Sequence, residues 1–114
     1  MEGKEKIEVV DEEKLKIISD KEDGEFNCTY TFRNEDHTLG NILRYMLMKD
    51  SNTLFCGYSI PHPCEDLMNI RLQTRNENTN KLMGKAMDRV IEISDILSDK
   101  FKNALNDFDT KNLN

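Results

Sequence analysis
A chain of 114 residues and 13.3 kDa has material for one domain with its own core and too little for two. Its net charge of −6 and pI near 4.9 argue against direct nucleic-acid binding, which depends on clustered Lys and Arg releasing counterions. No apolar run approaches the roughly 18 residues that cross a bilayer, no apolar stretch follows the polar opening MEGKEKIEVV, and three cysteines make a disulfide framework improbable, so a soluble protein of a reducing compartment is expected.

Residues 1–13 are mostly charged, and Ile7, Val9 and Val10 are too few to build an element alone, so the segment reads as a flexible tail. Leu15 to Ser19 is a short candidate strand, and Asp23-Gly24 supplies a pair that tolerates positive φ in a tight hairpin turn. Phe26, Cys28, Tyr30 and Phe32 then alternate with polar residues, the period of a strand with one buried face. After Asn34 the period changes. Leu39, Ile42, Leu43, Met46 and Leu47 form the apolar stripe of a helix over about residues 38–49, capped by Asp36 or Thr38 and ended by Asp50-Ser51-Asn52. Leu54, Cys56, Tyr58 and Ile60 restore the alternation until Pro61 and Pro63 stop it, and Met68, Ile70 and Leu72 mark a fourth strand.

A second helix starts near Thr79 or Asn80, with Leu82, Ala86, Val90, Ile93, Leu97, Phe101, Ala104 and Phe108 stepping by three and four. The order strand-strand-helix-strand-strand-helix predicts an α+β fold: a four-stranded, mainly antiparallel sheet with two helices on one face. Residues 14–108 form its domain and residues 109–114 a polar tail. A helix over residues 79–108 would be about 45 Å long at ~1.5 Å per residue, against a diameter of roughly 34 Å for a compact chain of this size. Its stripe stays apolar past that limit, at Phe101, Ala104, Leu105 and Phe108, so a partner is expected to cover it. The alternative is a helix that breaks near Ser98-Asp99 or folds back on the monomer.

Three blocks carry a family resemblance: Glu35-Asp36-His37-Thr38-Leu39-Gly40-Asn41, then Phe55-Cys56-Gly57-Tyr58-Ser59-Ile60-Pro61-His62-Pro63, then Asn69-Ile70-Arg71-Leu72-Gln73-Thr74. Over about residues 26–108 the chain resembles the small α-like subunits of archaeal and eukaryotic RNA polymerases. The second and third blocks look more like the form shared by polymerases I and III. The departure is Cys64, where the family more often has a small polar residue such as Ser. The resemblance implies the α-subunit dimerisation fold, no catalytic residue and no cofactor or metal, helix-to-helix pairing with a larger α-like subunit, and a place in assembling the large catalytic subunits. It implies a location in the nucleus, in nucleolus and nucleoplasm. The partner-interface residues expected from it are Leu39, Gly40, Asn41, Leu43, Arg44, Leu47, Leu82, Ala86, Val90, Ile93, Leu97 and Phe101. Gly40 lowers helix propensity by roughly 1 kcal/mol relative to Ala, which points to a close backbone approach to a partner or a packed strand. Asn41, Arg44 and Tyr45, on the polar face of the first helix, are candidates for contact with the partner or a large catalytic subunit.

Three rivals stay open on the sequence: the equivalent subunit of RNA polymerase II, a free-standing homodimeric scaffold, and a small thiol or metal enzyme. The last draws on Cys28, Cys56, Cys64, His37 and His62. Their spacing lacks the paired knuckles of a zinc site, and Cys28 and Cys56 fall in the apolar phase of their strands.

Overall fold
The computed structural model describes residues 9–112. Its elements in chain order are β1 (Val9–Asp11), β2 (Leu15–Ser19), β3 (Asn27–Arg33), α1 (His37–Met48), β4 (Thr53–Ser59), β5 (Leu67–Thr74) and α2 (Thr79–Asn112). The sheet runs β1-β2-β3-β5-β4 with every neighbour antiparallel. The four expected strands form its body, and β1 extends one edge.

Alternation decides which face is covered. Cys28, Tyr30 and Phe32 of β3 and Met68, Ile70 and Leu72 of β5 are all buried, and the register sets Cys28 beside Leu72, Tyr30 beside Ile70 and Phe32 beside Met68. Both helices pack on this face, where Leu43 and Leu47 of α1 and Leu82, Met83 and Ala86 of α2 complete the core. Burial of each large aliphatic side chain contributes about 1.5–3 kcal/mol. The opposite face is polar. There Arg71 donates to both carboxylate oxygens of Asp20, at 2.7 and 2.6 Å, and Thr31 to Asn69 at 2.7 Å.

Three local expectations change. Residues 9–11, read as part of a tail, form β1, because a three-residue strand needs only a ladder and an anchor: Lys16–Ile18 supply the ladder, and Arg33 the anchor. Arg33 donates to the Asp11 carboxylate at 2.8 Å, to the Glu13 carbonyl at 3.1 Å and to the Glu12 carbonyl. Residues 1–8 lie outside the described residues. The link between β2 and β3 is a seven-residue loop, 20–26, in place of a tight turn, and its left-handed residue is Asp23 at φ 52°. In β4 a register shift between Thr53 and Phe55 breaks the alternation, so Cys56 stays buried while Leu54 is exposed.

Asp36 caps α1, its side chain accepting from the Thr38 amide at 3.0 Å. Asp50 closes the helix by accepting from the Asn52 amide at 2.8 Å. Helix α2 runs without a break through Ser98-Asp99 and continues past residue 108 to Asn112, whose side-chain amide donates to the Phe108 carbonyl at 2.9 Å. The polar segment from residue 109 is therefore helical as far as Asn112, with Lys111 near the negative end of the helix dipole.

Candidate partner interface
The first turns of α2 are fastened to the sheet. Asn78 accepts from the Lys81 amide at 2.8 Å, the Thr79 amide donates to the Glu25 carbonyl at 2.9 Å, and Tyr30 donates to Asn80 at 2.7 Å. The buried Thr79 hydroxyl donates to the Cys28 sulfur at 3.0 Å. Glu77 sits between Lys81 and Lys85 at 3.2 and 3.3 Å, and the Lys81 contact holds its carboxyl below the usual range. Leu82, Met83 and Ala86 then fill the core, and Met87 and Val90 lie at its margin.

Beyond Val90 the support ends. Every residue from Ile91 to Asn112 is exposed, including Leu97 at 67%, Phe101 at 66% and Phe108 at 63%. The whole helix is about 51 Å long at ~1.5 Å for each of its 34 residues. The chain's radius of gyration, 18.7 Å, exceeds the roughly 13 Å of a compact chain this size. At ~100° per residue, Ile93, Leu97, Phe101, Ala104 and Phe108 fall within an arc of about 80°. Asp88, Glu92, Asp95 and Asp99 share an arc of about 60° on the opposite side. One face of the overhang is thus an apolar stripe and the other an acidic ridge, the division expected of a helix half covered by another protein.

On α1, Gly40 approaches the Tyr58 ring of β4; a Cβ there would lie 2.5 Å from Cδ2. The close approach that Gly40 implies is therefore to a packed strand. Tyr58 is held in place by its hydroxyl, 3.0 Å from His37 Nδ1. The outward face of α1 exposes Asn41, Arg44, Tyr45 and Met48, with Lys49 Nζ 4.6 Å from the Tyr45 ring centroid.

The twelve residues expected at the interface thus separate by position. Gly40, Leu43, Leu47, Leu82 and Ala86 are buried in the chain's own core, beneath the surface a partner would touch. Leu39 and Val90 are half-buried beside them. Asn41, Arg44, Ile93, Leu97 and Phe101 face solvent. Sequence reasoning missed Met48, Ile91 and Ile96, exposed at 50, 59 and 50%. A helical wheel signals the last two, which flank the stripe on either side.

Cys28 and Cys56 are buried and Cys64 is exposed. Burial pushes the Cys56 thiol up to about 11, so it stays protonated at neutral pH. His62 Nδ1 accepts from the Cys64 amide at 3.2 Å. Among the described residues, no three His, Cys, Asp or Glu side chains are grouped to hold a metal ion.

A family model described as the RNA polymerase Rpb3/Rpb11 dimerisation domain matches residues 27–100. The chain is similar to the DNA-directed RNA polymerases I and III subunit RPAC2 of Saccharomyces cerevisiae, 44% identical over 94 residues that cover 80% of this chain and 66% of that protein. It is 45% identical to RPAC2 of Schizosaccharomyces pombe over 69% of this chain and 64% of that one. It is 43% identical to the polymerases I and III subunit rpc19 of Dictyostelium discoideum over 83% of this chain and 80% of that one. The chain thus spans about two thirds of the two yeast relatives. Its fold is also that of a crystal structure of DNA-directed RNA polymerase subunit L from Thermoplasma acidophilum, with a TM-score of 0.65, 19% identity, and coverage of 92% of this chain and 93% of that one.

Proposed function
Because this chain belongs to the RNA polymerase Rpb3/Rpb11 dimerisation-domain family, we propose that it is the small, non-catalytic α-like subunit of RNA polymerases I and III. In this reading it pairs with a larger α-like subunit, and the pair is the platform on which the large catalytic subunits assemble for rRNA, 5S rRNA and tRNA transcription in the nucleus and nucleolus. The observation that carries the reading is α2. From Ile91 the helix projects past its own sheet with Ile93, Leu97, Phe101 and Phe108 in line and uncovered. Such a patch favours a permanent protein partner. The names of the relatives favour polymerases I and III over polymerase II.

The pairing surface is then the stripe from Val90 to Phe108, continued by Leu39, with Leu43, Leu47, Leu82 and Ala86 supporting it from beneath. Asn41, Arg44 and Tyr45, on the outer face of α1, are placed to meet the partner or a catalytic subunit. Co-expression with the larger α-like subunit, followed by size exclusion with light scattering, tests the pairing. A one-to-one complex is expected; two separately folded, unassociated chains would refute it. A chain alone at twice its monomer mass would instead support the homodimeric scaffold.

A further inference from the structure
Where the C-terminal end of α1 meets α2 there is a cleft of about 240 Å³. Leu47, Leu82 and Ala86 form its floor, and all three are buried. Its rim is basic: Lys49, Lys85 and Arg89 surround it, and Asp50 is the one carboxylate among the lining residues. Three cations less one carboxylate leave +2 on this rim, in a chain whose net charge is −6. Asp50 is engaged with the Asn52 amide, Lys85 shares Glu77 with Lys81, and Arg89 has no ion-pair partner among the described residues. Ala86 leads in helical steps to Val90 and Ile93, so the cleft opens onto the start of the α2 stripe.

We propose that this cleft is a specificity pocket of the pairing surface, receiving from the larger α-like subunit a segment that presents carboxylates. The inference rests on the pairing proposed above and adds the chemistry of what the partner presents. Leu47, Leu82 and Ala86 close the bottom of the cleft and are only 1, 1 and 4% exposed, so an occupant is held by the charged rim. The rim selects for Asp or Glu, and Arg89, with its guanidinium unspent, offers a planar two-pronged contact to a carboxylate. A basic or neutral segment would leave that charge uncompensated on desolvation.

The test uses the co-expressed heterodimer. A photoreactive benzoylphenylalanine at position 85 is irradiated and the cross-linked peptide is identified by mass spectrometry. The expected peptide comes from the larger subunit and carries at least two Asp or Glu residues. A neutral or basic peptide, or a peptide from a second copy of this chain, overturns the proposal. In parallel, Arg89→Glu should raise the dissociation constant about tenfold or more at low salt, with the difference shrinking at about 0.5 M salt, while Arg89→Lys stays nearer the unsubstituted chain. Equal affinities for Arg89→Glu and the unsubstituted chain overturn the pocket and leave the pairing standing. Failure of the unsubstituted chain to bind at all overturns both.

Discussion

Gly40 and Tyr58 touch so closely that a methyl group has no place between them: a Cβ on Gly40 would sit 2.5 Å from Cδ2 and 2.8 Å from Cγ of the ring. Two effects of Gly40→Ala therefore compete. Alanine gains roughly 1 kcal/mol of helix propensity, and the overpacking costs about 1–3 kcal/mol. The clash wins because the obstructing atoms lie at the base of the ring, which cannot swing clear without moving β4 against α1. Gly40→Ala should lower stability by about 1 kcal/mol in urea titration. With Tyr58→Ala in the background the same substitution should become neutral or stabilising, and additivity of the two changes would count against the contact.

Leu97 and Phe101 on one side, and Leu43 and Leu82 on the other, give opposite responses. The first two are about two thirds exposed, so Leu97→Asp or Phe101→Asp should change the isolated chain's stability by no more than about 0.5–1 kcal/mol, and should abolish the complex. Leu43→Ala or Leu82→Ala opens a cavity in a filled core and should cost about 2–5 kcal/mol in the isolated chain. Thermal melts beside complex formation separate the two classes. Equal loss of folding and pairing on Phe101→Asp would contradict the described exposure.

The Asp20–Arg71 pair gives a pH signature. Arg71, chiefly through its hydrogen bond, holds the Asp20 carboxyl below its ordinary 3.8 against a smaller opposing effect of burial. A depressed carboxyl stabilises the fold above its unfolded value, and that contribution is lost as pH falls through the folded one. With both side chains about a third exposed, solvent screening keeps the pair to about 1 kcal/mol or less. Asp20→Asn should show that deficit near neutral pH, and the difference from the unsubstituted chain should close as pH falls below 3.8.

Thiol titration at mildly alkaline pH should find one fast-reacting cysteine, Cys64, in the folded chain and all three after denaturation. Cys28 and Cys56 are sealed into the core, and the Cys56 proton is retained up to about 11. Two fast thiols in the native chain would mean that β4 opens from the sheet more readily than its burial implies.

The buried strands were plain in the sequence because β3 and β5 have neighbours on both sides and helices above, so every second residue must be apolar. An edge strand carries less of that constraint. β4 tolerates a register shift that turns Leu54 outward, and β1 is too short to show any period. The helices were legible as stripes, but a stripe records only that something apolar lies opposite. Leu82 and Phe101 belong to the same seam by spacing; one is 1% exposed and the other 66%, because the sheet extends beneath the first and not the second. That distinction is set by the reach of other elements, which no local pattern encodes. The cleft at Arg89 was likewise invisible, since Lys49 and Lys85 meet only when α1 and α2 are packed.

From Ile91 onwards α2 has no second layer of its own. In a copy without a mate, that half of the helix rests on local propensity and on continuation from the turns docked on the sheet, without the packing that supplies most helical stability in proteins. A surplus copy therefore keeps Phe101 and Phe108 on view, an apolar surface that invites association with its own kind. In the proposed assembly those groups disappear as soon as a mate arrives. On that proposal the solubility of this chain would follow the supply of the other subunit.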